Sequence, residues 1–473
     1  MGVAEKTITK DADFQQSLYE KHQKIYPREV HGLFAALRAL AGAGLLGLYY
    51  VLPWLQWDDR QIILFDIPAR KFHVFGATFW PQDFLILAFL LLLAAFALFF
   101  FTALAGRLWC GYACPQTVWT ELFLWIEKKV EGSVGKQKKL KASKWTIEKI
   151  IKKTTKYSLW FFISFFTGFT FVAYFTPAYE LLSSTINLTL GPWEATWIGF
   201  FTVATYANAG FMREQVCKYM CPYARFQSAM FDNDTLTIAY DELRGDPRGQ
   251  RRVSSDHRRE GLGDCVDCKL CVQVCPTGID IRDGLQYECI GCSACIDVCN
   301  GVMDTIGYSK GLIRYTTENA VTGNPSRILR PRIIIYIFLL VAITAITAFT
   351  IYQRSPLGLD VIRDRNQLYR DAGDMLENVF TLKVINMEER ANTYRLEVEG
   401  IAGLTLVDKE LIKVDAGSVA DRPIRVRVYE DNLQERSTPF IFKLIAVGDE
   451  GATIPEADAL SITAEARFLG PAP

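Results

Sequence analysis

Histidine is scarce in this 473-residue chain, and cysteine is missing from most of it. Of the four histidines, His22, His31 and His73 stand apart from every thiol and His257 lies in a basic stretch, with no HxxxH or HExxH spacing to suggest a histidine-built metal centre. All twelve cysteines fall between Cys110 and Cys299, and the long carboxyl-terminal region has none. A secreted disulfide scaffold would scatter them through its exported parts, so these thiols read as reduced ligands facing the cytoplasm. Net charge is also lacking, with 52 Lys and Arg against 52 Asp and Glu. Overall charge therefore gives no reason to expect nucleic acid or an acidic partner. The first thirty residues are polar and show no secretory signal, and MGVAEK lacks the Ser or Thr of a myristoylation motif.

What is present is concentrated in two runs of thiols. C-V-D-C-K-L-C-V-Q-V-C-P begins at Cys265, and C-I-G-C-S-A-C-I-D-V-C begins at Cys289, fourteen residues after the last cysteine of the first run. Thiolates at this spacing hold iron-sulfur clusters, and in the bacterial two-cluster pattern the fourth Cys of each run serves the other cluster. One [4Fe-4S] cluster is thus expected on Cys265, Cys268, Cys271 and Cys299, and a second on Cys289, Cys292, Cys295 and Cys275. Structural zinc is the competing reading of CxxC pairs. Eight cysteines in two complete runs, one ending in Pro276, favour the clusters.

Half of the residues are hydrophobic and several long apolar runs occur, which indicates a membrane protein. Hydropathy predicts a cytoplasmic tail over 1–30 and five spans at about 33–52, 84–105, 157–175, 193–211 and 333–352. Lys and Arg concentrate in 106–156, with Lys136, Lys138, Lys139 and Lys141 among them, and again in 212–332. Those loops are expected inside, against anionic lipid, which puts the amino terminus and both clusters in the cytoplasm and residues 355–473 in the periplasm of a bacterial inner membrane. The G-A-G-L-L-G stretch from Gly42 to Gly47 matches a dinucleotide fingerprint only formally, because it lies inside an apolar span with no preceding strand; small residues there are expected to let a neighbouring helix pack closely. The loop after the first span, flanked by Trp54, Trp57 and Trp80, reads as an aromatic belt on the outer face. Seven short alternating segments between 379 and 468 predict an antiparallel sandwich of immunoglobulin-like type.

The remaining four cysteines form two C-x-x-x-C-P motifs after the second and fourth spans, Cys110 with Cys114 and Cys217 with Cys221. If each helix runs on past the bilayer, both thiols of a pair share one face, with Pro115 and Pro222 disturbing the ladder. Both pairs leave the membrane on the same side, so the four thiols are expected to converge. Soft thiolates suit Cu(I), zinc or a further cluster, and Met212 and Met220 add thioethers nearby.

Five spans, W-C-G-Y-A-C-P, V-C-K-Y-M-C-P, the two-cluster stretch and an exported sandwich together resemble the cytochrome c oxidase accessory protein family CcoG, also called FixG or RdxA. F-D-I-P-A-R-K-F-H-V-F-G at 65–76 and F-W-P-Q-D-F at 79–84 resemble it too. The resemblance implies a cupric reductase that supplies Cu(I) to the copper site of a cbb-type haem-copper oxidase during assembly, in the company of copper carriers and an unidentified electron donor. It carries the family's cluster ligands onto the eight cysteines from Cys265 to Cys299, and its copper-handling thiols onto Cys110, Cys114, Cys217 and Cys221. Two alternatives come from other classes: a quinol-oxidising electron-transfer subunit, and an assembly scaffold whose clusters only stiffen a loop.

Overall fold

The computed structural model describes residues 24–57, 60–251, 261–364, 367–388, 390–408, 410–433, 435–447 and 460–471. Most of the expected tail at 1–30, and His22 and His257, lie outside the described residues. The chain divides into two compact units, Met1–Thr347 and Ala348–Pro473.

In the first unit, α1 (Leu33–Val51) and α2 (Phe84–Ala105) are continuous apolar helices. The first of them begins against a distant carboxylate. Asp297 accepts hydrogen bonds from the backbone N–H of Ala35 at 2.7 Å and of Phe34 at 3.3 Å, two donors that a helix start otherwise leaves unpaired. Only glycine fits at position 32, since a Cβ there would lie 2.4 Å from the Asp297 carboxyl carbon. The Trp-flanked loop between these helices folds into a small antiparallel sheet of β1 (Ile63–Asp66), β2 (Lys71–Val74) and β3 (Ala77–Phe79). Gln61 ties this sheet down by donating to the Ala173 carbonyl at 2.7 Å and accepting from the Ala178 N–H at 3.0 Å.

Gly106, at φ 55, ends α2 and is followed by the short α3 (Leu108–Tyr112), then α4 (Pro115–Glu131). Helix α5 (Ile147–Val172) packs on α6 (Pro192–Thr205). The contact is so close that a Cβ on Gly168 would stand 2.6 Å from the Ile198 carbonyl. Helix α6 widens into a π-helical segment, Tyr206–Met212, and a second one, Val216–Met220, leads to α7 (Pro222–Ala229). Single π turns of this kind often accompany functional sites.

Among the described residues, three helices are long and apolar enough to cross a membrane, over Leu33–Trp54, Pro81–Ala105 and Pro331–Tyr352, against the five spans that hydropathy predicts. The two that fall short correspond to α5 and α6. In α5 the polar Ser164, Thr167 and Thr170 are buried, and Thr167 accepts from Trp119 at 3.0 Å and shares a 2.8 Å hydrogen bond with Tyr50. Polar groups of this kind lower the hydropathy of a helix while tying it to its neighbours.

The cysteine-rich region is built on β4 (Thr237–Tyr240), paired antiparallel with β5 (Ile313–Thr316), and on two helices packed together, α8 (Leu270–Val274) and α9 (Ala294–Ile306). Its core gathers Ile238, Tyr240, Ile281, Ile296, Met303 and Leu312. Arg330, at the start of α10 (Pro331–Tyr352), donates to the Ala103 carbonyl at 2.6 Å and pairs with Asp232 at 2.9 Å, which fixes the cysteine-rich lobe to the end of α2.

The second unit is the predicted sandwich. One sheet has the order Thr405–Leu406, Val419–Tyr429, Met375–Asn386, Leu357–Arg363, and the other Leu411–Val414, Asn392–Glu399, Ser437–Val447, Ser461–Leu469. All seven expected strands occur, and the structure adds Leu357–Arg363 and the two-residue Arg370–Asp371 ahead of them. Alternate residues point inward, so Phe380, Phe440 and Phe442 meet edge to face with centroids 4.9 to 5.5 Å apart. Burying each of these rings stabilises the sandwich by roughly 1.5–3 kcal/mol.

Candidate iron-sulfur and thiol site

The two thiol runs fold alike. In C-V-D-C-K-L-C, Asp267 and Lys269 take left-handed backbone angles (φ 48 and 54), and the matching positions of C-I-G-C-S-A-C, Gly291 and Ser293, do the same (φ 70 and 62). Left-handed turns at two alternate positions curl each loop so that its three sulfurs face inward. For Asp, Lys and Ser this conformation costs about 1 kcal/mol each, which the loop's other contacts must offset.

The curled loops line two small cavities. One is walled by Cys265, Cys268, Cys271 and Cys299, closed by Leu312 and Ile313; the other by Cys275, Cys289, Cys292 and Cys295, closed by Ile281 and Ile290. Each run thus sends its fourth thiol to the other run's cavity, as the spacing predicts. Cys271 borders both cavities. Among the described residues, no group of three or more His, Cys, Asp or Glu side chains gathers tightly enough for one metal ion. A zinc ion would draw its sulfurs to about 2.3 Å from a single point. Thiols spread around an apolar void suit the larger inorganic core of a cluster, so the donor set fits that group. Burial pushes the Cys292 and Cys299 thiols up to about 12 and Cys271 to about 11, so iron binding here must displace protons. Arg282, buried, braces the first loop through Asp267 and Asp280, each at 2.6 Å.

The C-x-x-x-C-P cysteines come within reach of one another's charge, although their helices do not run through and, among the described residues, no three of them gather tightly enough for one metal ion. Cys114 is extended (ψ 128) and caps α4, with Pro115 as its first residue; Cys221 (ψ 111) and Pro222 start α7 in the same way. The condition on which a shared helix face is expected, that each helix runs on past the bilayer, is not met at either motif. Proline is well suited to a first helical position because it lacks an N–H that would be unpaired there anyway. Cys110 lies in α3 and Cys217 in the second π segment. All four thiols are close enough to influence one another. Burial first, and then the charges of Cys114, Cys217 and Cys221, push Cys110 up to about 12, while burial and Cys114 and Cys221 do the same to Cys217. Gln227, fully buried, accepts from Cys110 Sγ at 3.6 Å. Met212 and Met220 close the two π segments, and Met220 is exposed.

Helix α3, which carries Cys110, lies against the loop that lines the second cavity. A Cβ on Gly111 would stand 2.6 Å from the Gly291 carbonyl oxygen and 3.1 Å from Cys292 Cα. Arg107, buried, donates to the Cys289 carbonyl at 3.1 Å and to the Ala224 carbonyl at 2.6 Å, and its charge counters the rise in Cys110, Cys217 and Cys289. Tyr112 donates to Ser293 at 3.0 Å, Ser293 to Tyr315 at 2.6 Å, and Tyr315 to the Gly291 carbonyl at 3.0 Å. Arg38 of α1 donates to the Cys292 carbonyl and pairs with Glu121 at 2.8 Å.

Part of the basic segment is structural. Glu127 is met by Lys24 at 2.5 Å, Arg213 at 2.8 Å and Lys156 at 3.3 Å, while Glu131 meets Lys156 at 2.8 Å and Lys153 at 2.9 Å. Lys156 and Arg213 also lie over the Trp160 ring. Burial alone would raise Glu127, but Arg213, Lys24 and Lys156 outweigh it and hold the carboxyl down at about 2.

Residues 212–318 match the family described as "4Fe-4S dicluster domain", 87–132 the "4Fe-4S binding domain", and 347–471 the "IG-like fold at C-terminal of FixG". The "Nitrogen fixation protein FixG" of Rhizobium meliloti is 39% identical over 427 residues, covering 82% of each chain. The chain belongs to the FixG/RdxA family. The "Protein RdxA" of Cereibacter sphaeroides is 40% identical over 431 residues, covering 88% of this chain and 90% of that one. The crystal structure of a FixG-related protein from Vibrio parahaemolyticus is 34% identical and covers 24% of this chain and 97% of that one, with a TM-score of 0.22.

A FixG/RdxA chain with two segments matching 4Fe-4S binding families is an iron-sulfur protein of redox character. Cysteine spacing alone misses Arg107, Gln227 and Arg213 in this family member. An isolated Arg or Gln at the end of a hydrophobic run has no spacing partner; only the fold brings Arg107 beside Cys289, 182 residues away.

Proposed function

We propose that this FixG/RdxA chain is a cupric reductase of the bacterial inner membrane, crossing it five times through α1, α2, α5, α6 and α10, with the thiol runs in the cytoplasm and the sandwich in the periplasm. Cys265, Cys268, Cys271 and Cys299 hold one [4Fe-4S] cluster, and Cys289, Cys292, Cys295 and Cys275 the other. Bound there, such clusters supply single electrons at potentials that span a wide range, roughly −700 to +450 mV. Cys110, Cys114, Cys217 and Cys221 receive Cu(II) as substrate; one electron converts it to Cu(I), the softer ion, which thiolate sulfur retains better. The product serves the copper site of a cbb-type oxidase through its assembly machinery and copper carriers.

One observation carries this reading: α3, which holds Cys110, lies against the backbone of the 289–292 loop, where a Cβ on Gly111 would stand 2.6 Å from the Gly291 carbonyl oxygen. Arg107 touches both sides of that contact and offsets the negative charge of thiolates on either side. The test is anaerobic purification of wild type and of a variant with all four thiols changed to Ser, followed by Cu(II) addition. Wild type is expected to retain Cu(I) and lose its reduced-cluster EPR signal, and the variant to keep the signal. Unchanged reduction and retention in the variant would remove the copper reading.

A second reading has its own support. The "4Fe-4S binding domain" match at 87–132 contains only Cys110 and Cys114, and Cys217 and Cys221 complete a set of four. Iron in excess of two clusters per chain, lost in the same four-fold variant, would assign a further cluster to these thiols.

A further inference from the structure

The two thiol cavities have different surroundings. The second is closed in by helices of the membrane side: Arg38 of α1 donates to the Cys292 carbonyl, Arg107 donates to the Cys289 carbonyl at 3.1 Å, and a Cβ on Gly111 of α3 would meet the Gly291 carbonyl oxygen at 2.6 Å. The first has an open side. Of the twelve cysteines, Cys268 alone is exposed, while Cys265 and Cys271 beside it are buried. Cys268 and Val266 line both the first thiol cavity and a separate groove of about 320 Å³ on the cysteine-rich lobe.

This groove combines an apolar lining with cations. Val266, Ile306 and Tyr308 supply the apolar part. Arg251 lies 5.3 Å from the centre of the Tyr308 ring and donates to the Tyr308 hydroxyl at 3.3 Å and to the Cys265 carbonyl at 3.5 Å, which holds its guanidinium in place. Asp267, the acid on the groove, is engaged by Arg282 at 2.6 Å. Lys269, next to Cys268, is exposed, and among the described residues no acid pairs with it or with Arg251. In sequence, the stretch 244–259 that carries Arg251 sets Arg244, Arg248, Arg251, Arg252, Arg258 and Arg259 against Asp246 and Asp256. An apolar centre with a charged rim is the usual anatomy of a protein contact. The thiolates of the first set add negative charge behind Cys268, but an approaching surface meets Lys269 and Arg251 first, so the complementary partner is acidic.

We propose that this groove docks a soluble, acidic one-electron carrier protein, built round a flavin or an iron-sulfur centre, and that electrons enter the chain at Cys268. The proposal rests on the two-cluster reading above and gives its electron donor a chemical class and a place. In each encounter the carrier is oxidised by one electron and the centre on Cys265, Cys268, Cys271 and Cys299 is reduced by one; no atom or proton changes hands. Cys271 borders both thiol cavities, which makes the second set the next station and the Gly111 contact the way out. One encounter supplies the electron for one Cu(II). Redox contacts of this kind bury little surface, under about 1,200 Å², and depend on charge for their rate.

The experiment uses the full chain in mild detergent with iron counted, two acidic probes, a flavodoxin and a plant-type ferredoxin, and basic cytochrome c as the control of opposite charge. Binding is followed by biolayer interferometry, and a carbodiimide, which joins Lys to a carboxylate across a contact, locates it. Wild type is expected to bind at least one acidic probe, to lose about tenfold in affinity between about 50 and about 500 mM salt, and to cross-link through Lys269. Lys269→Glu is expected to weaken binding by about tenfold with iron unchanged, whereas Lys139→Glu, the same change on an exposed residue of the basic segment, leaves it within about twofold. Lys269→Asn removes the charge with a residue that tolerates the left-handed angle, and keeps the measurement sound if the Glu variant loses iron. Binding of neither acidic probe, equally tight binding of cytochrome c, cross-links confined to other lysines, or an equal loss in Lys139→Glu overturns the proposal. The two readings fail separately: a chain that reduces Cu(II) after dithionite but binds neither probe loses the docking site alone, and one that docks a probe through Lys269 but leaves Cu(II) unreduced loses the copper reading alone.

Discussion

Replacing Gly111 with Ala tests whether the contact between α3 and the 289–292 loop conducts electrons to the C-x-x-x-C-P thiols. The added methyl would lie 2.6 Å from the Gly291 carbonyl oxygen and 2.8 Å from its carbon, so helix or loop must yield by about 0.8 Å to reach ordinary contact. Neither side can yield by rotating a side chain, because the atoms met are backbone and Arg107, on the same turn, is bonded to Cys289. Overpacking of this kind costs about 1–3 kcal/mol. If the docked arrangement bears that cost, its population relative to an undocked one falls about tenfold for each 1.4 kcal/mol. Stopped-flow mixing of the reduced variant with Cu(II) is expected to show cluster reoxidation slowed by a similar factor, with iron content near wild type. Gly301→Ala, on α9 where a Cβ meets nothing within 4 Å, is the control and is expected to leave the rate unchanged while raising stability by up to about 1 kcal/mol. An unaltered reoxidation rate in Gly111→Ala would refute the contact as the route.

Arg107→Ala leaves the Cys289 and Ala224 carbonyls without this donor, at about 1–3 kcal/mol for each buried group; a redox titration is expected to show the second centre shifted to lower potential, and an unmoved midpoint would limit Arg107 to packing. Glu127→Gln removes the charge shared by Lys24, Lys156 and Arg213 and is expected to destabilise by about 3–5 kcal/mol in thermal melts. The sign with pH follows from the carboxyl being held at about 2, below its usual 4.5: its contribution is complete above about pH 4.5 and is lost as pH falls through 2, so the acid limb of the wild-type stability profile should flatten in the Gln variant. Phe442→Ala in the sandwich core is expected to cost about 3–5 kcal/mol and to lower the urea midpoint of that unit while iron content stays constant; coupled loss of iron would contradict the division into two units.

Much of this was legible where local rules decide. The exchange of fourth thiols between cavities follows from cysteine spacing, and the sandwich strands from two-residue alternation, as in T-Y-R-L-E-V-E, where Tyr394 and Leu396 are buried. The spans were less legible, because α5 carries Ser, Thr and Trp that the fold buries against protein, whereas α6 runs only 14 residues before it widens into the π-helical segment. Pro115 and Pro222 look like disturbances of a helix, yet each starts one; the π segments that precede Pro222 leave no compositional trace. The Glu127 network was invisible for a different reason, since Lys24 and Glu127 are 103 residues apart and meet only in the folded chain.

The carboxylate at the start of α1 bears on how the protein is made. Helix α1 emerges from the ribosome early, yet two of its opening N–H groups wait for Asp297, 263 and 262 residues downstream. Until that residue is synthesised and α9 has folded, the amino end of the first helix remains unfinished. Seating of the first helix and maturation of the cysteine-rich lobe are therefore one late event, and a chain stalled before residue 297 would present a loose first helix to the quality-control proteases of the membrane.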